Sequence, residues 1–317
     1  MNLYEKSEIR EIHLELTDNC NAACPMCSRN NGGYGESDLV SGSELLLEDF
    51  QKLVPPEFAD QLEHVYYCGN YGDAITATDC LPISEYLFDH DVDVSLHTNG
   101  GARSEKWWRD ATKYINRVVF AVDGLVDTNH LYRQKVDWNI VWRNMNVWAE
   151  AGKTAEWVFI VFKHNEHQIE EAKELAQKLG FKFLVKRTPR FYGDMKLNVY
   201  FPDKDEISHV IEPPSEKEYR GRPPNVVKKW DIKTMGHCQK RKQIFISAKG
   251  EIYPCCWVGD RISRGDLQEI SDFDYSGWNF FEDDSIQDWI MTSWVLEDPI
   301  SVCKHKCGKE NRGVTVG

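Results

Sequence analysis

The stretch IREIHLELTDNCNAACPMC, which runs from Ile9 to Cys27, decides how this chain folds. Its apolar first half predicts a strand, and the loop that follows carries Cys20, Cys24 and Cys27 in a CxxxCxxC spacing. Three thiolates on one loop can hold three irons of a four-iron cubane and leave the fourth iron open. A structural zinc site prefers four ligands, usually as two separated CxxC pairs, so a zinc-binding or chance loop is the weaker alternative.

Outward from this loop, short apolar runs alternate with amphipathic segments as far as Arg187. This alternation is typical of repeated βα units around a parallel sheet. Six strands are predicted, at Ile9–Leu16, Leu62–Tyr67, Val92–His97, Val118–Val122, Glu156–Phe162 and Lys182–Lys186. Helices are predicted near Ser43–Val54, Pro82–Asp89, Ser104–Lys113, Trp138–Ala149 and Glu166–Leu179.

The unusual residues of this region lie where the predicted strands end. Cys20 follows the first strand, and the next three are followed by Gly69 to Asp73, Thr98 to Gly100, and Asp123-Gly124. In parallel α/β sheets and barrels, working residues lie at the carboxyl ends of the strands. Each segment taken alone could be an ordinary glycine turn, and for Gly69 to Asp73 the plain reading is a turn with a capping acid. Their shared position is what favours a functional site.

The CxxxCxxC loop after the first strand of a βα repeat resembles the hallmark of the radical S-adenosylmethionine superfamily. That resemblance implies an α/β fold, a partial (β/α)₆ TIM-like barrel, with one four-iron four-sulfur cluster on Cys20, Cys24 and Cys27. In the family the open iron binds the amino and carboxylate groups of S-adenosylmethionine. One electron then cleaves the cofactor to methionine and a 5′-deoxyadenosyl radical, which abstracts hydrogen from the substrate.

The same resemblance implies roles for individual residues. Cys68 to Asp73 stands where the family has its GGEP motif, with the acid kept at Asp73 but the spacing changed. Thr98-Asn99-Gly100 resembles the TNG motif, and Ala121 replaces a serine before Asp123-Gly124. Arg133 would bind the cofactor carboxylate, although without the family pattern it would be interpreted as a surface residue. Met26 would pack near the adenine. The residues expected to contact the cofactor are therefore Met26, Gly69, Asn70, Tyr71, Gly72, Asp73, Thr98, Asn99, Asp123 and Arg133.

A second group of cysteines lies toward the C-terminus. Cys238 and Cys255 flank Gly250 in a Cys-x₁₁-Gly-x₄-Cys spacing that resembles the opening of SPASM and twitch extensions. The spacing fits a hairpin with strands Gln243–Ala248 and Glu251–Tyr253. With Cys303 and Cys307, this resemblance implies one auxiliary four-iron four-sulfur cluster, as in the twitch form. Cys256 leaves the ligand choice open, and a zinc site that uses His237 or His305 is the alternative.

The domains follow from these patterns. Residues 1–187 are expected to form the barrel and 188–236 a proline- and charge-rich linker or insert. Residues 237–317 are expected to form a small, hairpin-containing iron-sulfur module. Strand one begins so near the start that no amino-terminal peptide-binding domain is expected.

Composition and charge indicate the compartment and the partners to expect for this protein. Its first ten residues are charged and lack the apolar core of a signal peptide, and no run approaches the ~18 apolar residues of a membrane span. A cytoplasmic protein is therefore expected, in which clustered cysteines more often bind metal than pair. The net charge of −13 argues against nucleic acid as a partner, although the basic stretch Lys182 to Arg190 could meet an anionic group.

Relatives with this arrangement modify ribosomal peptides by crosslinking, epimerisation or oxidation, oxidise a residue in a partner protein, or dehydrogenate small alcohols. The resemblance thus implies a peptide as the first choice of substrate and a small-molecule alcohol or sugar as the alternative, with flavodoxin or ferredoxin as electron donor. Cys68 and Cys80 read as buried thiols, with Cys68 also a candidate catalytic hydrogen donor. The hypothesis of another class is a non-enzymatic protein whose cysteines bind metal for structure alone.

Overall fold

The computed structural model describes residues 5–30, 35–187, 195–201, 204–220, 237–265 and 301–307. All six predicted barrel strands are present, and consecutive ones pair in parallel. They are β1 (Glu11–Leu14), β2 (His64–Tyr67), β3 (Asp93–Thr98), β4 (Arg117–Ala121), β5 (Thr154–Ile160) and β6 (Lys182–Lys186). Only β1 and β2 are shorter than their predicted runs; β3, β4 and β5 keep the predicted length but are shifted by one or two residues, and β6 matches.

Helices fill the connections between the strands and cover one face of the sheet. They are α1 (Leu47–Leu53), α2 (Pro56–Ala59), α3 (Cys80–Asp89), α4 (Glu105–Tyr114), α5 (Asn129–Tyr132), α6 (Trp138–Glu150) and α7 (Ile169–Lys178). The predicted helix at Ser43–Val54 begins only at Leu47, and that at Glu166–Leu179 opens with a 3₁₀ turn. In α4 the Ser104 side chain caps the start by accepting from the Trp107 N–H at 3.3 Å. Alternate strand residues such as Ile12, Val65 and Val94 are fully buried in the core with the helices.

The predicted C-terminal hairpin is present as β9 (Gln243–Ile246) and β10 (Ile252–Tyr253). It does not stand apart from the barrel, because β9 pairs in parallel with β1 from Glu11 opposite Gln243 onward. The eight-stranded sheet therefore has the order β10-β9-β1-β2-β3-β4-β5-β6. Three short helices complete this region, α8 (His237–Arg241), α9 (Cys256–Ser263) and α10 (Ser301–Cys307).

The interval expected to be a linker holds regular structure. An antiparallel ribbon of β7 (Leu197–Tyr200) and β8 (Ile207–Ile211) lies there, with Val199 and Ile211 fully buried. The remainder of that interval after Arg220 lies outside the described residues. Within the described ranges, no helix combines the length and the apolar character that crossing a bilayer requires.

Candidate functional site

The three-cysteine loop follows β1 at the carboxyl edge of the sheet. Cys24 is buried, while Cys20 and Cys27 are half-buried. The loop turns tightly, because the Cys27 N–H donates to the Cys24 carbonyl at 3.0 Å. The Ala22 N–H donates to the Cys20 sulfur at 3.4 Å. None of these three cysteines forms a disulfide.

The three thiols of this loop are a donor set that fits an iron-sulfur cluster. Among the described residues, no three His, Cys, Asp or Glu side chains form a group that could hold a single ion. In a cubane each thiolate binds a different iron, so convergence on one point is not required. Burial raises the pKa of Cys20 to about 12 and raises that of Cys24, which disfavours the thiolates unless a bound cation compensates them. N–H donors aimed at sulfur are also a feature of cluster sites.

Asp73 forms a buried polar network beside this loop. Its Oδ2 accepts from the Thr98 hydroxyl at 3.0 Å, the Asn99 N–H at 2.8 Å and the Asn99 side-chain amide at 2.7 Å. The same Asn99 amide lies 2.9 Å from Asn21 Oδ1 and 3.8 Å from the Cys20 sulfur. Burial raises the pKa of Asp73, and these hydrogen bonds oppose the shift. Three predicted residues, Asp73, Thr98 and Asn99, are thereby brought together with the first cysteine.

Close approach of two loops explains the glycines before Asp73. A Cβ on Gly72 would lie 1.7 Å from the Thr17 carbonyl oxygen, and one on Gly69 would lie 2.7 Å from Glu15 Oε1. Only glycine lets the loop after β2 pack against the end of β1 in this way. Glu15 completes the contact, since its Oε1 accepts the Tyr71 N–H at 2.7 Å and the Gly72 N–H at 3.3 Å.

Arg133 and Asp123 form a buried ion pair at the other side of the loop. Arg133 Nε donates to Asp123 Oδ2 at 2.7 Å, and Arg133 Nη1 lies 3.6 Å from the Cys24 sulfur. Burial lowers the pKa of Arg133, but Asp123 and Cys24 more than offset this and raise it above its usual value. The guanidinium is thus a fixed cation next to the cysteine loop, where an anionic ligand group could lie.

The other predicted residues have different surroundings. Met26 is half-buried against the core. Tyr71 and Asn70 turn toward α9, because the Tyr71 hydroxyl donates to Asp260 at 2.7 Å and the Asn70 amide donates to the Cys256 carbonyl at 3.2 Å. Burial raises the pKa of the Cys68 thiol to about 11, so this cysteine carries its proton at neutral pH.

The C-terminal cysteines separate into two environments. Cys255 lies at the start of α9, and burial raises its pKa to about 11, with Cys307 adding to the rise. The sulfur of Cys256 lies within electrostatic reach of Cys255 and, unlike that of Cys255, also of Cys68 and Glu15 in the barrel. Helices α9 and α10 touch where the Lys306 ammonium lies 3.4 Å from the Trp257 ring centroid. Cys303 and Cys307, one helical turn apart, share a face of α10.

Two residues of this site were not among the sequence predictions. Glu15 organises the loop before Asp73, and Asn21 pairs with Asn99 through hydrogen bonds of 2.9 and 3.2 Å. A partial signal for Glu15 was available, because it alternates with Leu14 and Leu16 just beyond β1, although Glu11 and His13 alternate with apolar residues in the same way. Asn21 lies in a polar loop and carried no such signal.

Comparisons with known proteins rest on structure alone, since no family model and no curated protein sequence matches the chain. Streptococcus suis SuiB bound to S-adenosylmethionine matches with a TM-score of 0.57 at 14% identity, over 89% of this chain and 65% of SuiB. SuiB bound to the precursor peptide SuiA gives 0.53 at 13%, over 89% and 64%. anSMEcpe with bound AdoMet and the Cp18Cys peptide gives 0.53 at 11%, over 93% and 90%.

Both proteins are seen with bound S-adenosylmethionine, and their structural likeness to this chain confirms the fold implied by the sequence resemblance. The chain is an α/β protein with their partial TIM-like barrel. It spans 65% of the length of SuiB. At such low sequence identities, structural similarity establishes the fold alone.

Proposed function

We propose that this chain is a radical S-adenosylmethionine enzyme that abstracts hydrogen from its substrate. The observation that carries the proposal is the Asn99 side-chain amide, which lies 2.7 Å from Asp73 and 3.8 Å from the Cys20 sulfur. This contact joins the cysteine loop to the one buried acid that the family pattern assigns to the cofactor amino group. A cysteine loop that bound only a structural metal would not need a hydrogen-bonded connection to this acid.

Each residue then has a defined task. Cys20, Cys24 and Cys27 hold three irons, and the cluster when bound supplies the electron that cleaves S-adenosylmethionine to a 5′-deoxyadenosyl radical. Asp73, oriented by Thr98 and Asn99, accepts the cofactor ammonium. Further cofactor contacts are proposed for Met26, Gly69, Asn70, Tyr71, Gly72 and Asp123.

Arg133 holds the cofactor carboxylate in this proposal. Its Nε and Nη1 are engaged with Asp123 and Cys24, which fixes the plane of the guanidinium. Nη2 donates no hydrogen bond to the described part of the chain and could serve the carboxylate. Because the guanidinium is fixed before the cofactor binds, little side-chain entropy is lost on binding.

The C-terminal residues are proposed to hold one auxiliary four-iron four-sulfur cluster on Cys238, Cys255, Cys303 and Cys307. The electrostatic contact between Cys255 and Cys307 supports this set, and the inward position of Cys256 supports Cys255 as the ligand. The proposed domains are the barrel at 1–187, the insert at 188–236 and this module at 237–317.

A peptide is the proposed substrate class, with flavodoxin or ferredoxin as reductant and the cytoplasm as location. Support for a peptide comes from the structural neighbours that bind one, the precursor peptide SuiA in SuiB and the Cp18Cys peptide in anSMEcpe. Cys68 is proposed as a hydrogen-atom donor, since a thiol that stays protonated keeps the S–H bond this role requires.

The test is cofactor cleavage by anaerobically reconstituted protein. With dithionite the wild type should produce 5′-deoxyadenosine, measured by liquid chromatography. The triple variant Cys20→Ala, Cys24→Ala, Cys27→Ala should produce none, because the cluster has lost its ligands. Cleavage that persists in the triple variant would contradict the cluster assignment.

Two single-cysteine variants provide matched controls. Cys80→Ala removes a thiol that is fully buried at the start of α3 and outside the loop, so cleavage should continue. Cys68→Ala should also continue to cleave the cofactor, because its thiol acts on substrate after cleavage. Loss of cleavage in Cys68→Ala would argue against its role as a hydrogen donor.

A further inference from the structure

The inward face of the barrel strands differs from one side of the barrel to the other. Residues such as Ile12 and Leu14 of β1 point outward and are fully buried against the helices, so their neighbours in the strand point inward. On one side the inward face is aromatic, since the His13 ring stacks on Tyr66 at 4.4 Å and meets Phe245 at 4.9 Å. On the other side it is aliphatic, with Val119, Val158 and Leu184 in successive strands.

Lys186 is the last residue of β6 and belongs to this inward face. Phe183 packs outward against Trp157 and Phe159, with ring centroids 5.9 and 5.8 Å apart. Side chains alternate along a strand, so Lys186, three residues later, points to the opposite side. Because β6 is the edge strand of the sheet, Lys186 lies at the open side of the partial barrel and at its carboxyl edge.

The Lys186 ammonium lies within electrostatic reach of three groups at the barrel mouth. Burial raises the pKa of Cys68 and that of Asp123 and lowers that of His97 to about 3, and the charge of Lys186 lowers all three values. Cys68 follows β2, Asp123 follows β4 and His97 lies in β3. In a flat sheet β2 and β6 would be roughly 19 Å apart, at ~4.8 Å per strand. The influence of Lys186 on Cys68 agrees with the curvature of the partial barrel, which brings the end of β6 toward the end of β2.

No acid of the described chain neutralises this cation. Lys186 makes no hydrogen bond or ion pair with the described residues, whereas Asp123 is already paired with Arg133. Burial raises the pKa of Glu15 to about 7, so this carboxyl group is only partly ionised at neutral pH, and it lowers the pKa of His13 to about 4, so this ring is neutral there. A half-buried ammonium that no described side chain pairs is open to an anionic group of a ligand.

We propose that Lys186 binds a carboxylate of the substrate and so holds the reacting carbon between β6 and Cys68. The inference rests on the proposed function, because it takes the barrel mouth as the place where substrate meets the cofactor radical. Carboxylate is the shared chemistry of two sources, an acidic side chain of a peptide and a free small acid. A substrate carboxylate would turn an unpaired charge into a charge-assisted hydrogen bond.

Equilibrium binding tests the proposal on reconstituted protein saturated with S-adenosylmethionine. Isothermal titration calorimetry would compare two pairs of probes at fixed ionic strength. One pair is a capped alanine pentapeptide with a central glutamate and its glutamine counterpart; the other is glutarate and glutaramide. The wild type should prefer the acid of at least one pair by about tenfold or more. Lys186→Gln should lose that preference, and Lys186→Arg should keep most of it.

Lys182→Gln is the matched control. Lys182 lies on the same strand and inward register but at its amino end, where it is exposed and pairs with Glu156 at 3.3 Å. This variant should bind the acidic probe as the wild type does. Whichever pair shows the preference identifies the source, peptide or small acid.

Three results would overturn the proposal. The wild type could show no preference in either pair, or Lys186→Gln could keep it. Lys186→Gln could also weaken binding of S-adenosylmethionine itself, which would assign the cation to the cofactor. Failure of the proposed function is distinct, because it appears as absent 5′-deoxyadenosine in the wild type, whereas the probe preference is measured without turnover.

Discussion

At the scale of single residues, the site depends on contacts between groups that are distant in sequence. The spacing of Cys20, Cys24 and Cys27 was readable because all three are local to one loop. Asp73 and Asn99 could be predicted as site residues only through family motifs, since nothing in the local sequence links them. The alternation of Glu15 with Leu14 and Leu16 did not reveal its role, because its partners are backbone N–H groups of another loop, and sequence patterns do not encode which backbone groups a side chain meets.

Gly72 offers a sharp test at this scale. In Gly72→Ala the new Cβ would fall 1.7 Å from the Thr17 carbonyl, so the loop that carries Asp73 cannot keep its position. We expect affinity for S-adenosylmethionine to fall by at least about tenfold, or ~1.4 kcal/mol. Equilibrium dialysis with labelled cofactor measures this directly.

The control is Gly152→Ala, where no atom lies within 4 Å of the added Cβ. Its positive φ of +67° makes alanine cost roughly 1 kcal/mol of stability, without an effect on cofactor affinity. Wild-type affinity in Gly72→Ala would disprove the importance of the close approach.

At the scale of elements, the six strands could be predicted because each is a buried apolar run between turn signals. Strand order could not be predicted in full, since the pairing of β9 with β1 is a contact between distant segments. The ribbon of β7 and β8 escaped prediction because exposed residues such as Ile207 and Val210 give it no regular apolar pattern.

The inward face of the barrel strands should make the protein sensitive to acid. Burial lowers the pKa of His13 from 6.5 to about 4, and a short hydrogen bond with the Cys68 carbonyl only partly opposes this. The unfolded chain therefore takes up a proton at higher pH than the folded chain. The resulting stability is fully present above pH 6.5 and is lost as the pH falls toward 4.

Between pH 7.5 and 5.0 this single histidine should account for about 2 kcal/mol of lost stability. In His13→Gln the thermal midpoint should fall less over that interval than in the wild type, by a few degrees, as scanning calorimetry would show. His130→Gln changes an exposed histidine and should follow the wild-type slope. Equal slopes in all three proteins would refute the assignment.

At the scale of the whole molecule, the C-terminal region is joined to the barrel by the β9–β1 ladder and by the contacts of Asn70 and Tyr71 with α9. The sequence predicted its hairpin correctly but not this attachment, because a spacing of cysteines carries no information about which sheet edge is free.

Iron content tests the assignment of the C-terminal cysteines. The reconstituted wild type should hold about eight irons per chain, and Cys303→Ala with Cys307→Ala about four, since the first cluster keeps its three ligands. Colorimetric iron and sulfide assays give both counts. Cys256→Ala should keep about eight. Zinc in place of iron, or a loss of iron in Cys256→Ala, would reject the proposed ligand set.

The position of β1 between β2 and β9 has a consequence for biogenesis. One neighbour of this strand is made soon after it, but the other leaves the ribosome only after most of the chain has been translated. The ladder on that side therefore has a very high contact order, which slows its formation. During synthesis the cysteine loop that follows β1 borders an incomplete sheet edge, so we expect iron delivery to this loop to be a late, post-translational event.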